Sequence, residues 1–256
     1  MFDKPILAHE EVLELSHGGV MNEGIVSMSL GLEGMPAAAE EVMIGRDIAL
    51  ADVTGGRLHV MHVSTAQGVD LIREAKSRGI RVTAEACPHH FTLTDESLRG
   101  FDSNFKMSPP LRTAKDVEGI LAGLADGTID CIATDHAPHA PEKKLLELDR
   151  APFGILGLET AVGLSVTRLI ESGRIDWPRF VEAISLLPAR ILGINRGTLR
   201  PGAIADVTLI DPSHEWQVDV NSFASKSVNS PFDGWTLRGR AVATIVHGKV
   251  KYRLSS

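Results

Sequence analysis

The chain has 256 residues, 43% hydrophobic and 23% charged, which is the composition of a globular protein long enough to bury a sizeable core. A formal net charge of −7 argues against nucleic acid or an anionic membrane surface as the main partner, because both require basic patches. No apolar run reaches the ~18 residues of a membrane-spanning helix, and the first five residues lack the build of a signal peptide, so the expected location is the cytoplasm.

Strands alternate with helices over most of the length. Residues 5–8 form a short apolar run that ends at His9. Residues 36–51 read as a helix with Ala38, Val42, Ile44 and Ile48 as its apolar positions. The run 58–63 is the next strand. A helix follows over 66–78, with Val69, Ile72 and Ala75 along one face and Gly79 placed to cap it. Residues 80–87 make a third strand, 114–126 a helix and 129–134 a fourth strand. This rhythm predicts a parallel sheet with crossover helices.

Beyond residue 155 the texture changes. Residues 156–171 and 177–192 read as helices, and short strands follow at 205–210, 241–246 and 249–252, with Gly248 at a turn. The expected division is an α/β unit over 1–198 and a β-rich module over 199–256. Cys87 and Cys131 lie in strand-like runs and read as buried free thiols.

Three strand ends carry metal-competent side chains: His9, His62 and Asp135. In a parallel barrel all three project from one rim, where such folds place their chemistry. Neutral imidazoles and a carboxylate suit zinc, which lowers the pKa of bound water to near neutrality. A carboxylate there can also act as a general base. His89 and His90 stay outside this set, since adjacent residues leaving a strand point in opposite directions. His59, an odd number of residues before His62, reads as structural. The run Glu142-Lys143-Lys144 reads as a solvated face.

Several segments together resemble the dihydroorotases of the longer bacterial type, within the amidohydrolase superfamily. They are Pro88-His89-His90-Phe91, Ser108-Pro109-Pro110-Leu111-Arg112, Thr134-Asp135-His136-Ala137-Pro138-His139, and the stretch from Ala151 to Thr160 that opens Ala-Pro-Phe-Gly. The resemblance implies the C-terminal half of a TIM-type (β/α)8 barrel, strands five to eight, with part of a small β-sandwich module. It implies zinc as cofactor, with His9, His62 and Asp135 as metal ligands and Asp135 also as the catalytic carboxylate. His139, Phe153 and Gly154 match substrate-binding positions, and Ser108 stands where the family has an asparagine. The family's first metal-binding pair, a His-x-His motif, has no counterpart before His9, so the chain is expected to begin at the fifth barrel strand.

The implied reaction is the reversible cyclisation of N-carbamoyl-L-aspartate to dihydroorotate in pyrimidine biosynthesis. The alternatives are a related cyclic amidase (an allantoinase or hydantoinase) or a noncatalytic scaffold for aspartate transcarbamoylase. The implied partners are the small-molecule substrate, a second copy in a homodimer, and aspartate transcarbamoylase.

Overall fold

A computed structural model describes residues 3–254. Four strands, β1 (Ile6–Ala8), β2 (Leu58–Val60), β3 (Val82–Ala86) and β4 (Cys131–Ile132), form one parallel sheet in that spatial order. The register runs Ile6 to Leu58, Leu58 to Val82 and Glu85 to Cys131. Because all strands are parallel, all four C-terminal ends lie on one rim of this partial barrel. The order of the strands therefore sets His9 beside His62, then the Cys87–His90 turn, then Asp135.

The crossovers are helices α1 (Ala38–Thr54), α2 (Ala66–Ser77) and α3 (Ala114–Asp126). Local chemistry fixes their ends. The Thr65 hydroxyl accepts from the Gly68 N–H at the start of α2, and a Thr113–Asp116 capping box opens α3. Gly127, at φ +82°, closes α3 in a left-handed conformation that side chains resist. The apolar faces of the helices pack on the sheet, where Ile44, Val60, Ile72, Ile120 and Ile129 are fully buried.

Helices α4 (Ala161–Ser165) and α5 (Trp177–Val181) each run on through a π-helical turn, at Val166–Ile170 and Glu182–Leu186, the second continuing as α6 (Leu187–Leu192). Phe180 and Leu169 carry this pair into the same core. The tail forms a separate antiparallel sheet of β5 (Val207–Gln217), β6 (Thr236–Val246) and β7 (Lys249–Arg253).

Two expected strands are shorter than the apolar runs that suggested them. Strand β2 stops at Val60 because His62 takes φ +33°, and β4 stops at Ile132, ahead of Asp135 at φ +45°. Two expected strands are longer: β5 extends to Gln217 and β6 begins at Thr236, each accommodated by bulges in their pairing. A small parallel pair, Met21–Asn22 with Gly34–Met35, follows the first strand and was not expected from the pattern.

Candidate metal centre

His9 and His62 meet at the rim. His9 Nδ1 lies 3.1 Å from His62 Nε2, and His9 Nε2 lies 2.9 Å from the Glu11 carboxylate. Two nitrogens bound to one tetrahedral zinc at ~2.0–2.1 Å would stand roughly 3.3 Å apart, so this spacing fits a shared divalent ion. The Glu11 carboxylate orients the His9 ring as outer partners of metal-bound imidazoles do. His62 is buried, and burial, reinforced by the charge of His9, pushes its pKa down, which keeps its lone pair free to ligate. The charge of Asp135 acts on His62 in the opposite sense, so the carboxylate stands within electrostatic reach of the pair.

His62 and Asp135 both hold positive φ, a conformation that costs a non-glycine residue ~1–3 kcal/mol and persists only where the surroundings enforce it. Two residues beyond His62, the backbone is held by Glu40. This buried carboxylate accepts the Ser64 and Thr65 backbone N–H groups, each at 3.0 Å, together with the Ser64 and Thr65 hydroxyls. Buried Arg112 completes the network by donating to Ser64 Oγ at 3.1 Å, Asn22 Oδ1 at 3.0 Å and the Met35 carbonyl at 2.7 Å. Burial lowers the Arg112 pKa, and the charges of Glu40, Asp116, Glu41 and Asp95 work against that shift.

Ser108 is half-buried and lines the same narrow cleft as His9, Glu10, Glu40 and Arg112, with a cis peptide joining it to Pro109. Glu10 is buried with neither carboxylate oxygen hydrogen-bonded among the described residues, and burial, followed by the Asp47 charge, raises its pKa to about 7. Its burial was invisible in the sequence, where it reads as one of two consecutive acids.

The remaining expected site residues come together on one loop pair. His139 Nε2 donates to the Phe153 carbonyl at 2.8 Å. Gly154, at φ +113°, leaves no room for a side chain, since a Cβ would meet Ala137 Cβ at 2.5 Å. Its N–H donates to the Lys106 carbonyl at 2.9 Å. Asn229 laces the two loops together: its Oδ1 accepts from the His139 N–H, and its Nδ2 donates to the Ala137 and Gly154 carbonyls.

Lys144, expected on a solvated face, is instead buried. Its ammonium donates to the Pro152 and Gly154 carbonyls at 3.0 and 3.2 Å, and burial, aided by Lys106, lowers its pKa to about 8. Lys106 holds the Leu148 and Ala151 carbonyls at 2.6 and 2.7 Å and lies over the Phe153 ring. Both lysines satisfy loop carbonyls that would otherwise be buried without donors.

His136 is structural, its Nδ1 accepting from the Gly157 and Leu158 N–H groups at 3.1 and 3.3 Å. His59 is also structural, bridging Thr83 Oγ1 at 2.8 Å and Glu85 at 3.0 Å. The expectation for His89 and His90 needs correction. The chain turns after β3, closing a bond from the His90 N–H to the Cys87 carbonyl at 2.9 Å, so the two rings do not diverge but stack edge-on with centroids 4.3 Å apart.

Two imidazoles in contact, with a carboxylate on the same C-terminal rim of a parallel α/β sheet, fit the layout of a metal-dependent hydrolase. Residues 46–251 match the Amidohydrolase family, and the chain belongs to that family, whose members are generally metal-dependent. Among its relatives are the dihydroorotase of Pelotomaculum thermopropionicum, 58% identical over 250 residues and matched over 98% of this chain, and that of Citrifermentans bemidjiense, 54% identical over 248 residues and 97% of this chain. The chain spans 58% of the length of each. Similar solved structures include the L-hydantoinase (dihydropyrimidinase) from Arthrobacter aurescens, at 30% identity and a TM-score of 0.88, covering 99% of this chain and 58% of that one. The D-hydantoinase (dihydropyrimidinase) from a Thermus species aligns with a TM-score of 0.87 at 30% identity, over 98% of this chain and 57% of its own.

Proposed function

We propose that the protein carrying this chain is a dihydroorotase, which interconverts N-carbamoyl-L-aspartate and dihydroorotate in pyrimidine biosynthesis in the cytoplasm. The observation that carries the reading is the His9–His62 pair at 3.1 Å on the rim that also bears Asp135, in a chain 54–58% identical to two dihydroorotases. The solved hydantoinases stand further off, at 30% identity, which favours dihydroorotase over a ureide amidase.

In this reading His9, His62 and Asp135 would hold zinc, which when bound would polarise the scissile carbonyl and acidify water. Asp135, a general base at the open rim, takes the proton of the attacking water and delivers it to the departing ring nitrogen. In the biosynthetic direction it removes that same proton from the carbamoyl nitrogen. His139 receives the substrate carboxylate. Its Nε2 donates to the Phe153 carbonyl, so the substrate carboxylate is met at Nδ1 by the doubly protonated ring, the form in which Nδ1 is also a donor. Phe153 and Gly154 border the ring, and the Ser108 hydroxyl reaches where the family has an amide. Residues 1–198 act as the partial barrel and 199–256 as strands of the β-sandwich module. A homodimer and association with aspartate transcarbamoylase belong to the same proposal.

The test is turnover by the protein carrying this chain on dihydroorotate, hydantoin and allantoin. Preference for dihydroorotate supports the reading, and preference for either neutral ureide overturns it.

A further inference from the structure

Behind the His9–His62 pair lies a second group of soft and borderline donors. Cys87, His89 and His90 sit on the turn that follows β3, and one ligand atom from each lies within 4.8 Å of the other two. All three residues are buried. Two ring nitrogens in this trio, His89 Nε2 and His90 Nδ1, have no hydrogen-bond partner among the described residues. The other nitrogen of His90, Nε2, lies 2.9 Å from the Pro109 carbonyl, which can only accept. That contact fixes the ring proton on Nε2 and leaves Nδ1 as a bare lone pair turned away from it. An unsatisfied acceptor in a dry interior is costly and calls for an occupant.

We propose that Cys87, His89 and His90 form a second transition-metal site, separate from the rim pair and suited to zinc. The donor set is one thiolate and two neutral imidazoles, the chemistry that borderline-soft zinc prefers to hard oxygen-only ions such as magnesium. An imidazole whose remote N–H is anchored on a backbone carbonyl is the usual arrangement of a metal-bound histidine, and His90 on Pro109 has it. Burial holds both imidazoles neutral, with His90 lowered to about 3. Burial also holds the Cys87 thiol protonated without metal, so binding releases a proton from Sγ to solvent as the thiolate–metal bond forms. The ion would pin the turn that stands between His62 and Asp135 on the rim. The site is enclosed, so the ion enters as the chain folds.

Cobalt reports this site directly, because a thiolate ligand gives a near-ultraviolet charge-transfer band that imidazole and carboxylate ligands do not. The protein is produced in cobalt-supplemented, zinc-depleted medium, with circular dichroism confirming its fold. The expected result is a charge-transfer band in the wild type and in Cys131→Ser, retained in His9→Ala and His62→Ala. In Cys87→Ser the band disappears, and zinc content after growth in zinc falls by about one equivalent per chain. A folded, cobalt-grown wild type without the band overturns the proposal, as does a band lost with Cys131 or with the rim histidines. If Cys87→Ser fails to fold, the wild-type and Cys131→Ser spectra together decide the matter. None of these outcomes depends on catalytic turnover, so the proposal and the dihydroorotase reading fail separately.

Discussion

Replacing Glu40 with alanine removes the acceptor that holds the turn after His62. The Ser64 and Thr65 N–H groups, each bonded at 3.0 Å to this carboxylate, are then left buried without partners. The cost of one such orphan is ~1–3 kcal/mol. Arg112, buried and charged, loses the carboxylate that most strongly favours its charge. Arg112 is joined to Glu40 through the Ser64 hydroxyl and not by a direct ion pair, so the loss is chiefly that of the two orphaned donors. The expected destabilisation is ~2–4 kcal/mol, a large fraction of a typical ~5–15 kcal/mol of folding stability. Glu40→Gln keeps one acceptor oxygen and should fall between the wild type and alanine. The assay is urea unfolding followed by circular dichroism, read as a lower midpoint at unchanged slope. A loss below ~1 kcal/mol for Glu40→Ala would show that water takes over the Ser64 and Thr65 donors, and the reasoning would be wrong.

Gly154→Ala forces a Cβ into Ala137 and a side chain onto φ +113°, so it should cost ~2 kcal/mol or more in thermal unfolding. It should also move the His139 imidazole resonances, and unchanged resonances would separate Gly154 from the His139 loop. Lys144→Met strips the ammonium from the Pro152 and Gly154 carbonyls and should expose residues 144–154 to limited proteolysis, with resistance equal to wild type counting against the clamp. His90 predicts an acid-labile fold. Its pKa drops from 6.5 to about 3 in the folded state through burial, so between those values the unfolded chain binds the extra proton. Its contribution is complete above pH ~6.5 and is lost at ~1.4 kcal/mol per pH unit as pH falls toward the folded pKa. Glu10, raised to about 7, works in the opposite direction between ~4.5 and 7. The clean quantity is therefore the difference in pH slope between the wild type and His90→Gln, and equal slopes would refute the prediction.

Strand and helix order was readable because the chemistry that sets it is local. Helices α2 and α3 match their expected spans closely, since Thr65, Gly79, Thr113 and Gly127 mark their ends within the sequence itself. His9 and His62 were legible for a similar reason: each closes an apolar run, and parallel pairing of β1 with β2 then brings them together. The supports of the site were not legible. Glu40 and Arg112 both bond Ser64 Oγ across many intervening residues, and nothing periodic marks an acid destined for burial. Lys144 follows Glu142 and Lys143 in a run that looks solvated, yet tertiary contacts turn its ammonium inward onto loop carbonyls. The Pro88-His89-His90 turn defeated the alternation rule because the chain leaves the extended conformation after Ala86.

The most direct test of the central claim is interconversion of carbamoyl-aspartate and dihydroorotate by the zinc-supplied protein carrying this chain, wild type against Asp135→Asn. Turnover is expected in the wild type and a fall of about 10²–10⁴-fold in the variant, the range supplied by a positioned acid–base group, with the folded circular dichroism spectrum unchanged. Wild-type rates in a folded Asp135→Asn protein would contradict it.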